Sequence, residues 1–219
     1  MKRKLKKKRN SLFILPIVLF LLSLSCTKEE GLTATEQSIA DDAIIVEYLK
    51  THKLDTLTTI PPNKINWTIE AAVEGDETLM EIVDSVVEYT FGGVPYKYYY
   101  IDVEVGSGVE ATSNEILVAD FNEYLLDERL ISTSNNKDDA MELDIATRIP
   151  GIRHGINVFF PGKVPEELNN YRNDTDTPGR GILFFPSGLG YKDIGNEEIS
   201  PNQPLRVDMV LYTRMDYDN

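Results

Sequence analysis

The sequence predicts an α+β protein in which strands outweigh helices. Three observations point there. Gly181 to Phe185 is a short apolar run stopped by Pro186 and three glycines, the pattern of a buried strand ending in a loop. Leu205, Val207, Met209 and Leu211 fall on one face of a period-two segment whose other face carries Arg206 and Asp208, which reads as a half-buried strand. Only two stretches, Ile39 to Leu49 and Arg153 to Phe160, read as helices.

Taken in order, residues 1–25 hold seven basic side chains, no acidic ones, and an apolar run from Leu12 to Leu24 broken only by Pro16 and Ser23. This is the n-region and h-region of a secretory leader, and the run is short against the roughly 20 residues of a membrane span. It stops at Ser25-Cys26, and Cys26 is the single cysteine. The segment resembles a bacterial lipoprotein signal of the Bacteroidetes type, with Ser23 and Leu24 before the cysteine, and that resemblance implies lipidation of Cys26. An ordinary signal peptide or an uncleaved anchor helix is the other reading. Acyl chains hold a protein at a membrane surface without spanning it, which implies a place in the bacterial cell envelope, on the periplasmic or the surface face of the outer membrane. Thr27-Lys28-Glu29-Glu30 resembles a surface-export signal of such lipoproteins; a solvated charged tether accounts for it equally.

Losing the seven positive charges of the leader takes the net charge from −14 to −21. So acidic a chain repels nucleic acid and anionic headgroups, which excludes both as partners and makes the lipid anchor the route to the membrane.

Residues 26–92 read as tether and N-terminal extension. Ile39, Ala43, Ile44, Ile45, Val46 and Leu49 predict an amphipathic helix over about 38–50, with Asp41 and Asp42 in its first turn and Lys50 and His52 at its end, where a cation suits the helix dipole. Pro61-Pro62-Asn63 is a break. Ile65 to Val73 alternates and carries the single tryptophan, Trp67, so it reads as a strand. Met80 to Phe91 fits a helix or a strand by period, and its β-branched and aromatic content favours strand.

Gly92-Gly93-Val94-Pro95 is the candidate internal boundary. Tyr96 to Val105, Ile116 to Tyr124 and Ala140 to Ala146 read as strands, and Arg153 to Phe160 as a short helix with His154 on its surface. Residues about 161–179, rich in Asn and Asp, read as an inserted loop that lacks the glycine and distal glutamate of a calcium loop. Two lone histidines and one cysteine make no metal site. Pro186-Ser187-Gly188 lacks the preceding glycine of a nucleophile elbow, and no phosphate-binding glycine loop occurs.

The pattern F-P-x-x-L-G-Y-x-x-x-G followed by I-x-P-N-x-P-L-x-V-D, together with Ile149-Pro150-Gly151 earlier in the chain, resembles the FKBP family of peptidyl-prolyl isomerases. The resemblance runs over residues 93–219. It implies a bent antiparallel sheet wrapped around a short helix, no cofactor, and proline-containing polypeptides as ligands. It implies that the Tyr191 hydroxyl and the Ile149 backbone N–H face the ligand carbonyl, with Phe121, Ile149 and Ile199 as pocket walls. Four positions depart from the family. Ile131-Ser132 replaces an aromatic followed by an aspartate, Ile152 replaces the tryptophan of the pocket floor, and Val207 replaces a phenylalanine of the last strand. An isomerase assisting the folding of exported proteins and a degenerate FKBP module binding an envelope protein partner, similar to gliding-associated lipoproteins, both follow.

Overall fold

In the computed structural model, residues 31–57, 64–134, 140–163 and 176–215 are described. The leader, Cys26, the Pro61-Pro62-Asn63 break and most of the insertion at 161–179 lie outside them. Helix α1 (Ala34–Thr51) leads into a two-stranded hairpin, β1 (His52–Thr56) with β2 (Trp67–Ala71). There follow β3 (Ser85–Phe91), β4 (Val94–Glu104), β5 (Ile116–Leu125), β6 (Leu130–Thr133), β7 (Met141–Asp144), helix α2 (Pro150–Gly155), β8 (Gly179–Phe185) and β9 (Leu205–Met215). The last seven strands form one antiparallel sheet in the order β3-β4-β8-β9-β5-β6, with β7 pairing the first half of β5 on the edge that β6 takes for the second half. The α+β class expected from the sequence, an antiparallel sheet with a short helix, is the observed one.

Alternation along the central strands feeds two cores, one on each face of this sheet. Leu205, Val207, Met209 and Leu211 of β9 join Leu183 and Phe185 of β8 and Tyr96 and Tyr98 of β4 on the face that carries α2. Val210 and Tyr212 join Ile182, Phe184, Tyr99 and Ile101 on the opposite face, together with Ile45, Tyr48 and Leu49 of α1 and Trp67 and Ile69 of β2. The strand β9 is therefore buried on both sides rather than half-buried. Arg206 and Asp208 lie beneath α1 and the hairpin, where they form an ion pair at 3.0 Å.

Helix α1 starts upstream of the predicted 38–50, and its first turn falls in what reads as polar tether. Thr33 caps it: the Glu36 N–H donates to Thr33 Oγ1 at 3.3 Å, and the Thr33 N–H donates to Glu36 Oε2 at 2.9 Å. This reciprocal box satisfies two of the amides that a helix start leaves bare. The buried face is Ser38, Asp41, Ile45, Tyr48 and Leu49, while Ile39 and Ile44 point outward. Polar Asp41 turns inward because donors wait for it there: Ser187 N–H at 2.8 Å, Ser187 Oγ at 2.5 Å and Gln37 Nε2 at 2.7 Å.

Gly92-Gly93 is no boundary between modules. It is the turn of the β3–β4 hairpin, with φ of 60° and 82°, values that glycine adopts without a Cβ penalty. Helix α2 begins three residues ahead of the Arg153 expectation, because Pro150 at its first position has a φ already suited to a helix and no N–H to leave unsatisfied. It lies close on β8: a Cβ at Gly151 would meet the Phe185 ring at 2.3 Å, and one at Gly155 would meet Leu183 at 2.4 Å. His154 is not a free surface residue, since its Nε2 lies 2.8 Å from the Tyr89 hydroxyl and the two rings are 4.4 Å apart. Among the described residues no helix is long and apolar enough to cross a membrane.

Candidate functional site

A cleft of about 240 Å³ opens between β5, β9, the start of α2 and the loop after β8. Phe121, Leu143, Ile149, Ile152, Val207 and Met209 give it apolar walls. Its polar groups are Glu123, Ser132, Thr147, Arg148 and Tyr191.

Each side chain arrives there for a local reason. Phe121 and Glu123 are two apart on β5 and so share a face, as Val207 and Met209 do on β9, whose register sets Phe121 opposite Met209 and Glu123 opposite Val207. Ile149 precedes the proline that starts α2 and stays extended, at φ −55° and ψ 149°, as a residue before proline must. Its carbonyl accepts from Arg153 N–H at 3.0 Å, while its own N–H donates to no group among the described residues. One turn into α2, Ile152 faces the same opening.

Tyr191 sits on a loop that is braced from beneath. Leaving β8, Pro186 leads into a 3-10 turn over Ser187–Leu189, and the Ser187 carbonyl accepts from both Gly190 and Lys192 N–H at 2.9 Å. Ser187 in turn donates its N–H and Oγ to the wholly buried Asp41 of α1. The Tyr191 hydroxyl is 3.4 Å from Glu123 Oε2. Burial, with the neighbouring Glu123 carboxyl, pushes the phenol up to about 12, so at neutral pH it keeps its proton and remains a donor.

Of the residues singled out in the sequence, Tyr191, Ile149, Phe121, Ser132, Ile152 and Val207 meet at this cleft. Two do not line it. Ile199 is fully buried in the core alongside, and Ile131 packs half-buried against the same core. Sequence reasoning missed Glu123, Arg148, Thr147, Leu143 and Met209. Of these, Glu123 changes the chemistry most: it stands directly across the β5–β6 ladder from Ser132. The chain has no carboxyl at Ser132 itself, but Glu123 places one opposite it on the neighbouring strand. The missed signal was period: Glu123 shares the inward face of Leu117, Ala119 and Phe121, although its charge argues for solvent. Burial raises its carboxyl above the usual carboxylate range, against the opposing pull of Tyr191 and Arg148. Cys26, the expected lipidation site, lies outside the described residues. Among those residues no cluster of ligating side chains suited to a metal ion occurs.

No family model and no curated protein matches the chain. Solved structures do. A peptidyl-prolyl cis-trans isomerase from Pseudomonas syringae pv. tomato is similar at 16% identity over 61% of this chain and 83% of that one, with a TM-score of 0.45. FkpA from Escherichia coli is similar at 21% identity over 58% of this chain, with a TM-score of 0.44, and the match spans about half, 51%, of that protein's length. The N-terminal domain of FKBP42 from Arabidopsis thaliana is similar at 11% identity, covering 54% of this chain and 87% of that one, with a TM-score of 0.43.

Proposed function

We propose that the cleft binds a proline-containing segment of a polypeptide and accelerates its cis–trans isomerisation. The observation that supports this best is the juxtaposition, in one apolar opening, of two donors without a short hydrogen bond of their own: the Ile149 backbone N–H and the protonated Tyr191 hydroxyl. Rotation about the prolyl bond breaks no covalent bond. Its barrier, about 18–20 kcal/mol, is the amide resonance lost when the C–N bond twists. An apolar enclosure disfavours the charge-separated planar amide, and donors that fix the preceding carbonyl leave the ring free to turn. Neither a nucleophile nor a cofactor enters this chemistry.

We further infer that the chain is held by acyl chains on Cys26 in the cell envelope, where it assists the folding of exported proteins. Support comes from the leader ending at the single cysteine. Prolyl isomerisation takes tens to hundreds of seconds unaided and limits the folding of many chains.

A second reading, in which the fold binds an envelope partner without catalysis, draws on Ile152 and Val207, which leave the cleft with Phe121 and Tyr191 as its aromatic rings. The test is the exchange rate of a prolyl tetrapeptide with the purified protein, followed by NMR. Acceleration that falls about fivefold to tenfold in Tyr191→Phe, the share of one hydrogen bond, upholds the isomerase. Saturable binding without acceleration upholds the binding module instead.

A further inference from the structure

Prolyl isomerisation gives the buried carboxyl of the cleft no role. The Glu123 side chain is 5% exposed, and its Oε1 is buried with no hydrogen-bond partner among the described residues. Its Oε2 has only the long contact to Tyr191 at 3.4 Å. Ser132, opposite on β6, makes no bond to it, and Arg148 acts on it through charge alone. The Arg148 guanidinium lies 5.8 Å from the centre of the Phe121 ring, and its Nε likewise lacks a partner. Asp41, buried elsewhere in the molecule, accepts three hydrogen bonds, and Asp208, whose Oδ1 likewise lacks a hydrogen bond of good geometry, still has Arg206 in ion-pair contact at 3.0 Å, which Glu123 does not. A buried acceptor left open costs stability, and its presence in a cleft marks a place for a ligand donor.

The proline ring cannot supply that donor, because its nitrogen carries no hydrogen. The donor has to come from a flanking residue. A cationic side chain suits the site best, since hydrogen bonds between charged partners are about twice as strong as neutral ones. The long-range field agrees: a chain with a net charge of −14, its basic leader included, draws cationic segments toward it.

We propose that Glu123 sets the ligand preference of the cleft, selecting prolyl segments in which a lysine or arginine adjoins the proline and donates to the Glu123 carboxylate. This rests on the reading of the cleft as a prolyl site. Arg148 is the competing cation, so it limits the preference rather than creating it.

The experiment measures binding of Ala-X-Pro-Phe peptides, with X as Lys, Gln, Leu or Glu, to the whole protein and to Glu123→Gln and Arg148→Gln, by NMR titration. Wild type is expected to bind the Lys peptide about tenfold more tightly than the Gln peptide. Glu123→Gln brings the two to within twofold, and the dispersion of its amide NMR spectrum, matching that of wild type, shows that the variant is folded. Arg148→Gln widens the gap. Equal binding of Lys and Gln peptides to wild type, a preference that survives in Glu123→Gln, or no binding of any peptide overturns the proposal. The isomerase reading fails separately: a Glu123-dependent Lys preference with no acceleration of exchange leaves the selectivity standing and removes the catalysis.

Discussion

The two faces of the seven-stranded sheet bury charge in different ways. Beneath α1 and the β1–β2 hairpin, Arg206 is ringed by Asp208 at 3.0 Å, Glu128 at 2.7 Å and the Tyr48 hydroxyl at 2.8 Å, with the Tyr124 ring 4.0 Å below its guanidinium. On the other face, Glu123 and Arg148 share a cleft without forming an ion pair or a hydrogen bond to each other. The first face is closed by α1 and the hairpin, so its buried charges face one another. The second is open, so its charges wait for a partner. From Leu205 to Tyr212 strand β9 serves both, its even residues on the sealed side and its odd residues in the cleft core.

Breaking the sealed face should have the largest effect. Arg206→Ala strands Asp208 and is expected to cost about 3–5 kcal/mol in urea denaturation, the usual penalty for an uncompensated buried charge. A loss under about 1 kcal/mol, the scale of an exposed pair, would mean that the network is solvated and that the two faces do not differ. Asp41→Ala comes next. It removes the acceptor for both Ser187 donors and is expected to cost about 1–3 kcal/mol. Because Ser187 anchors the loop that carries Tyr191, the same change should weaken prolyl-peptide binding in wild type but not in a Tyr191→Phe background. An equal loss in both backgrounds would leave the brace with no bearing on the hydroxyl.

Acidification gives a smaller, graded comparison. Burial pushes the Asp208 carboxyl up to about 6 from 3.8, with the adjacent Arg206 pulling the other way. The folded state therefore binds more protons than the unfolded state in this window. The contribution of this group to stability is fully present below about pH 3.8 and is lost as the pH rises through about 6. Asp41 and Glu123, raised for the same reason, act in the same sense. His154, whose pKa burial lowers from 6.5, acts in the opposite sense, so the carboxyl effect is read in His154→Gln, whose melting temperature should climb as the pH falls from about 7 toward about 5. A fall over that range would place these carboxyls in contact with water.

Strand positions were legible because alternation over Leu205 to Leu211 or Ile116 to Tyr124 is a local signal. What covers each face was not. The pattern at Arg206 and Asp208 is that of a solvated edge, and only the arrival of α1 and Trp67 reverses it. The start of α1 was readable in principle from the Thr33-x-x-Glu36 box, whereas the outward turn of Ile39 and Ile44 depends on Ser187, about 150 residues away. That Tyr191, Ile149 and Phe121 line one cleft could be expected only through the family resemblance, since no local period brings the three together. Glu123 was not legible, since a carboxylate on an inward face is intelligible only once Tyr191 and Ser132 stand beside it.

The smallest expected effect has the opposite sign and separates the faces most cleanly. Glu123→Gln keeps the shape of the side chain, removes a buried charge that has no close partner, and adds donors within reach of Tyr191. Its stability should rise by about 0.5–1 kcal/mol, as it does when a site held open for a ligand is relieved. Asp208→Asn, the same chemical change on the sealed face, takes from Arg206 its fully buried carboxylate partner, leaving only the more exposed Glu128, and should destabilise. Measured side by side in urea, a gain for the first and a loss for the second would tie the difference to the surroundings of each carboxyl. Two losses would mean that Glu123 is as well matched in solution as Asp208, with ordered water or Arg148 closing the gap, and the cleft would then hold no open acceptor.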